Sequence, residues 1–286
     1  LGIYYLDGSG KLLANEIQVI KPGSVDNPGR NIYGILVGDR DKDTISPVDP
    51  PALGLGLNEI SLDEALIVSV EQNMVRYFGA LPNTNTYGIE VDAGYGVNDL
   101  DIAIHHNRFG EAGKGFDKGL VIHQCDPSVE EACDVGAFTY IRAYSNNILS
   151  NNTGLLLDGP VPTLALKTFI YNRIVGNLVG AENNSPIEFL VKNNWWGCSA
   201  GPNQTGCDTT LNSGTGTLAS TPWLVLTTSV DPALVVPGTT SAFTASLQFN
   251  SNGVIPFTDN VPNTTPVAFS VKTLGSVLPT SGFYTD

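Results

Sequence analysis

Ala143-Tyr144-Ser145-Asn146-Asn147-Ile148 and Phe169-Ile170-Tyr171-Asn172-Arg173-Ile174 are two copies of one short template. An apolar residue stands three places before an Asn, and another stands two places after it. The same template is met in Leu12…Asn15…Ile17, Val70…Asn73…Val75, Ile104…Asn107…Phe109 and Val191…Asn194…Trp196. Upstream of each copy lies a second module, a Gly followed by a short apolar strand. These are Gly2-Ile3-Tyr4, Gly34-Ile35-Leu36-Val37, Gly88-Ile89-Glu90-Val91, Gly119-Leu120-Val121-Ile122, Gly154-Leu155-Leu156-Leu157 and, more weakly, Gly180-Ala181. The two modules alternate strictly through residue 196. Such alternation marks a repeat architecture, in which each unit buries its apolar face only against its neighbours.

Asn172 and Asn194 stand about one solenoid coil apart, and the wider separations carry segments of loop composition. Asp39 to Pro51 lies between Asn15 and Asn73, and Gly79 to Thr86 between Asn73 and Asn107. A turn around Gly113 and the first Cys pair lie between Asn107 and Asn146. The Asn itself suits a sharp corner, because it tolerates left-handed backbone angles well. Its amide is both donor and acceptor, so asparagines stacked repeat upon repeat can hydrogen-bond into a ladder. Buried without such partners, each would cost roughly 1–3 kcal/mol. The expected ladder is Asn15, Asn73, Asn107, Asn146, Asn172 and Asn194.

This pattern resembles the right-handed parallel β-helix of the pectate-lyase-like superfamily, over about residues 1–225. The resemblance implies an all-β solenoid and says little of activity, since that superfamily spans lyases, hydrolases, adhesins and inert scaffolds. Asn193-Asn194-Trp195-Trp196-Gly197-Cys198, continued by Gly201-Pro202-Asn203 and Pro222-Trp223-Leu224, is similar to the closing coil of secreted surface β-helix proteins. A last coil needs a cover for its core. The adjacent tryptophans suit that cover, with a sugar-stacking platform as the alternative.

The composition changes after Leu226. Residues 227–286 hold only Asp231, Asp259, Lys272 and Asp286 as charges, and apolar alternation marks Ala242–Phe249 and Val267–Val271 as strands. Asn252-Gly253, Pro237-Gly238 and Pro262-Asn263 separate them as turns. This segment resembles the start of the immunoglobulin-like repeats that follow β-helices in large bacterial and archaeal surface proteins. The expected organisation is therefore a parallel β-helix over 1–226 and a small, incomplete β-sandwich over 227–286. Such a short sandwich would leave Phe243, Leu247, Phe249, Phe269 and Phe283 uncovered and its strand edges open to another chain, the alternative being a chain that continues beyond Asp286 and completes its own sandwich.

With 14 Lys plus Arg against 28 Asp plus Glu, the formal charge is −14, which excludes nucleic-acid binding by phosphate neutralisation. No apolar run is long enough to span a bilayer, and membrane insertion is not expected. The four cysteines fall as Cys125/Cys133 and Cys198/Cys207. Loop entropy favours these local pairs as disulfides, free thiols or a metal being the alternatives. Disulfides would place the chain outside the cytoplasm, in the extracellular space or on a cell surface.

No catalytic set stands out. The N-T-D, Asp-Asp, G-H-G and R-I-K motifs of pectin hydrolases are absent, as is a G-x-G-x-x-G fingerprint. Asp92, Asp99 and Asp101 flank one strand pair and could supply two carboxylates across a glycosidic bond, though solvated loop-edge acids read more simply. Asp39, Asp41 and Asp43 resemble the opening of an EF-hand loop, but Thr44 stands where its Gly belongs and Pro50 where its Glu belongs. They are a weak Ca²⁺ candidate, and no cofactor is expected otherwise. His105 and His106 adjoin, so strand alternation would send them to opposite faces as a structural pair. Asn151, Asn183, Asn203 and Asn263 head N-x-Ser/Thr sequons in expected turns and are candidate glycosylation sites. The reading is a non-enzymatic extracellular structural or adhesive protein, a fibre subunit joined head-to-tail to copies of itself or bound to surface glycans. A polysaccharide lyase or hydrolase, or a glycan-binding module, is the alternative.

Overall fold

A computed structural model describes residues 3–5, 10–13, 15–19, 32–37, 66–78, 86–93, 100–124, 139–159, 164–236, 238–256, 260–262, 265–268 and 281–283. Every element among them is a strand. In chain order these are β1 (Ile3–Tyr5), β2 (Gly10–Leu13), β3 (Glu16–Val19), β4 (Ile32–Val37), β5 (Leu66–Glu71) and β6 (Met74–Tyr77). Then come β7 (Thr86–Ala93), β8 (Leu100–His105), β9 (Arg108–Phe109), β10 (Lys118–Gln124), β11 (Thr139–Tyr144) and β12 (Asn147–Leu149). β13 (Thr153–Asp158), β14 (Leu164–Ile170), β15 (Arg173–Val175), β16 (Val179–Asn184) and β17 (Phe189–Leu190) follow. The remaining six are β18 (Thr210–Asn212), β19 (Leu218–Ala219), β20 (Leu224–Asp231), β21 (Ala242–Asn250), β22 (Pro266–Ala268) and β23 (Ser281–Phe283).

Three parallel sheets organise most of them. Sheet A runs β1-β4-β7-β10-β13-β16-β18, sheet B runs β14-β11-β8-β5-β2, and sheet C runs β15-β12-β9-β6-β3. From β2 to β16 the chain visits B, C and A in strict rotation. Each template Asn lies in the corner between a B strand and a C strand, or in the matching corner after Val191. Each Gly-led apolar run is an A strand.

Register explains the apolar pattern. Ile35, Ile89, Leu120, Leu155 and Ala181 form one column on sheet A. Val68, Ile102, Ile141 and Val70, Ile104, Ala143, Phe169 do the same on sheet B. Together with Val75, Phe109, Ile148, Ile174 and Trp196 they make one buried core. Burying each such side chain contributes on the order of 1.5–3 kcal/mol. A second cluster lies outside it, where Tyr171 and Trp195 meet Leu224, Leu247 and Val261. The two adjacent tryptophans thus part: Trp196 closes the main core and Trp195 anchors the antiparallel pair β20–β21. Both are buried, so neither offers a free face for stacking a sugar ring.

The sheet A glycines have a steric cause. A Cβ on Gly88 would stand 2.5 Å from the Gly119 carbonyl oxygen, and one on Gly154 would stand 2.6 Å from that of Gly180. At Gly119 it would meet the Gly154 carbonyl oxygen and Asn151 Nδ2, both at 2.7 Å. Backbone cannot yield there without breaking the sheet. Gly119→Ala is therefore expected to cost about 3 kcal/mol, the upper end for overpacking. Gly113, at φ +71 with open space around it, is the control; its Ala variant should lose about 1 kcal/mol from backbone strain alone. Thermal melts followed by circular dichroism check both.

Candidate functional site

The six template asparagines form a continuous hydrogen-bonded row. Nδ2 donates to the next Oδ1 from Asn15 to Asn73 at 2.8 Å, Asn73 to Asn107 at 2.9 Å and Asn107 to Asn146 at 3.0 Å. Asn146 reaches Asn172 at 2.9 Å, and Asn172 reaches Asn194 at 3.1 Å. Each Oδ1 from Asn73 onward also accepts the backbone N–H of the preceding Asn. The second amide proton returns to the carbonyl of the −3 apolar residue one repeat back: Leu12, Val70, Ile104, Ala143 and Phe169. Every polar atom of the row's interior is satisfied.

The left-handed corner belongs to a different residue. Gln72, His106, Ser145, Tyr171 and Asn193 hold φ between 53° and 57°, and each directly precedes a ladder Asn. None of Asn73, Asn107, Asn146, Asn172 and Asn194 has positive φ. The expectation that Asn itself supplies the turn is thus corrected. Four of these residues are not Asn or Gly, and each bears strain on the order of 1–2 kcal/mol that the row of hydrogen bonds offsets.

A second, shorter ladder was not foreseen. Asn151 Nδ2 donates to Asn177 Oδ1 at 3.0 Å, and Asn177 Nδ2 to Asp208 Oδ2 at 2.7 Å. Asp208 also takes the backbone N–H groups of Gly176 and Asn177, ending the row with a carboxylate. Burial raises the Asp208 pKa, although Asn177, Gly176 and then Arg173 all pull the other way. The signal was present in the sequence, since Asn151 and Asn177 each stand five places after a template Asn.

This changes the sequon reading. Asn151 is 2 % exposed and Asn183 is 0 % exposed. Asn183 Nδ2 is committed to the Ile187 and Thr217 carbonyls, as Asn151 Nδ2 is to Asn177. Neither nitrogen is free to carry a glycan in the folded chain. Asn203 is exposed at a left-handed turn, donating to Thr210 Oγ1. Asn263, Cys125, Cys133, Asp39, Asp41, Asp43 and Asp99 lie outside the described residues. Cys198 and Cys207 are joined in a disulfide, which points to an oxidising, non-cytoplasmic environment.

The outward faces of the sheets carry three polar rows. On sheet A, Asp92, His123, Asp158 and Asn184 stand in register. His123 Nδ1 lies 3.7 Å from Asp158 Oδ2, and Asn184 donates to Asp158 Oδ1 at 2.8 Å. Burial pushes the Asp158 pKa up, but His123, Asn184 and the Gly159 N–H together outweigh it and hold the carboxyl below its ordinary value. Its stabilising contribution is thus full above the ordinary carboxylate range and is lost as pH falls through the lowered value. His123→Ala should raise the Asp158 pKa, and NMR titration of the side-chain carboxyl carbon checks this. Asp101 lies on sheet B, bound to Arg142 at 3.0 Å, whereas Asp92 lies on sheet A.

On sheet B, Glu71, His105 and Tyr144 align. His105 Nε2 is 3.1 Å from Glu71 Oε2, its ring stacks on Tyr144 at 4.8 Å, and its Nδ1 lies 2.9 Å from His106 Nδ1. The two histidines were expected on opposite faces. The left-handed residue His106 breaks the alternation and turns its ring back onto its neighbour.

On sheet C, Arg108, Asn147 and Arg173 align on β9, β12 and β15. They line a cavity of about 430 Å³ together with Glu111, Ser150 and Pro266. No group of three or more His, Cys, Asp or Glu among the described residues could hold a metal ion. No helix there is long and apolar enough to cross a membrane. No protein-family model matches the chain, and no curated protein or solved structure matches it.

Proposed function

We propose that this chain is a right-handed parallel β-helix from an extracellular surface protein, a rigid scaffold that carries an assembly segment beginning near residue 227. The observation that carries this reading is the ribbon β20–β21. Its near half is anchored by Leu224 and Leu247 on Trp195 and Tyr171, while its far half stands clear. There Val230 faces Phe243 across the ribbon, and Phe243 is 52 % exposed; Leu234, just beyond, is 91 % exposed. An isolated two-stranded ribbon is marginal in water, and open edges with apolar faces favour strand addition. The proposed partner is a second copy of the chain, added head-to-tail, and non-closing contacts of that kind make filaments. The continuous ladder supports the scaffold role, because a fully bonded row resists bending and local opening.

Sedimentation velocity and electron microscopy over a concentration series test this. Association that disappears in Phe243→Lys supports the reading. A monomer at high concentration overturns it, and so does association that the substitution leaves unchanged. Turnover of acidic polysaccharides in an unsaturated-uronate or reducing-end assay would replace the scaffold reading with an enzymatic one.

A further inference from the structure

We propose that the groove over sheet C is a binding site for a tetrahedral oxyanion, a phosphate or sulfate ester, held between Arg108 and Arg173. Neighbouring parallel strands lie about 4.8 Å apart, so the two arginines, one strand removed from each other, stand roughly 10 Å apart at their Cα atoms. Asn147 lies between them in register and takes one hydrogen bond from Arg173 at 3.2 Å.

The charges there are not balanced. Glu111 is held by Arg76 at 2.7 Å and lies 3.9 Å from both Arg108 and Lys114, so one carboxylate serves three cations. Arg76 has a further partner in Glu16, at 3.0 Å. Arg173 has no carboxylate within ion-pair distance among the described residues. The Nε atoms of Arg108 and Arg173 are buried with no hydrogen-bond partner among those residues. A concentration of positive charge is unexpected in a chain of net charge −14. Burial first, then the Arg108 charge, pull the Arg173 pKa down against the attraction of Asp208. An anion between the two guanidinium groups would relieve that repulsion.

Geometry selects the anion. A planar carboxylate offers two oxygens in one plane and is satisfied by a single bidentate guanidinium. A tetrahedral oxyanion presents oxygens in several directions, so two guanidiniums approaching from opposite sides can both engage it. Ser150 supplies a hydroxyl at the rim, and Leu149, Val175 and Pro266 give an apolar wall for the rest of a small molecule. The cavity volume falls in the usual range for a small-molecule pocket.

Isothermal titration calorimetry at low salt with inorganic phosphate, sulfate and acetate tests the site. Glucose 6-phosphate and glucose 6-sulfate then distinguish the two ester sources. Phosphate or sulfate should bind at one site, with acetate weaker, and Arg173→Gln and Arg108→Gln should each weaken binding about tenfold or more. Ser150→Asp keeps a residue that tolerates the left-handed backbone at φ 59 and places a carboxylate in the groove. It should abolish binding while leaving the circular dichroism spectrum unchanged. The proposal is overturned by an absence of saturable phosphate or sulfate binding, by acetate binding as tightly, or by folded Arg173→Gln and Ser150→Asp variants that bind like the parent.

Discussion

Asn146→Ala should lower the unfolding free energy by about 3–5 kcal/mol, a loss at the extreme of what single substitutions cause. Asn146 Oδ1 takes both the backbone N–H and Nδ2 of Asn107, each at 3.0 Å. Its Nδ2 donates to Ile104 O at 2.8 Å and to Asn172 Oδ1 at 2.9 Å. Without the amide, the Asn107 backbone N–H has no acceptor and the Ile104 carbonyl loses its side-chain donor, in a place no water reaches. Asn172 Oδ1 keeps the Asn146 backbone N–H, which limits the loss. Asn15→Ala is the comparison. Asn15 starts the row, is half-buried and gives up one side-chain bond, so about 1 kcal/mol is expected. Denaturant unfolding at constant m-value measures both. Equal losses at the two positions would mean that the row does not act as a buried network.

Trp196→Ala is expected to cost about 3–5 kcal/mol, the range for deleting a large buried aromatic side chain. Trp196 is 0 % exposed and meets the end of sheet A, where its ring lies 2.9 Å from the place a Gly180 Cβ would take. Its removal opens a cavity at the point where the main core is closed. Trp196→Phe should cost well under half as much, because the indole N–H has no hydrogen-bond partner among the described residues. Trp195→Ala probes the other cluster and should chiefly loosen β20–β21, read as faster amide exchange in those strands with the parallel sheets unchanged. A uniform rise in exchange over both regions would show that the two clusters unfold as one unit.

The all-β class and parallel sheets were legible in the repeated template because both of its apolar positions are local. The residues at −3 and +2 fall inside, and strand alternation carries the inward pattern along each sheet. The Gly-led modules were legible as strands, but their glycine was not explained until Gly88, Gly119 and Gly154 were seen to approach the next carbonyl oxygen. Asn151 and Asn183 read as accessible turns because polar residues near Ser and Thr usually are. In the fold they face other repeats and are buried. Leu247 read as an uncovered residue and is instead held against Leu224 and the outer tryptophan cluster. The polar rows on the outward faces stand at fixed offsets in the chain, Arg108 and Arg173 one place after a ladder Asn and Glu71 and Tyr144 two places before one, but only the stacking of whole repeats brings their members together.

The sequence by itself determined what one repeat must do. An Asn amide able to give and take, flanked by two inward apolar residues, can be satisfied only by copies of itself stacked in register. Tertiary structure alone decided which repeats are neighbours across the insertions, and therefore what meets what. Asn15 and Asn73 are bonded across 58 positions, and Asn73 and Asn107 across 34. From Asn73 onward the left-handed angle moved to the residue before each ladder Asn because the amide must point along the stack, and that direction is fixed by the neighbouring repeat. Side-chain chemistry is a property of the residue, whereas register is a property of the packed whole.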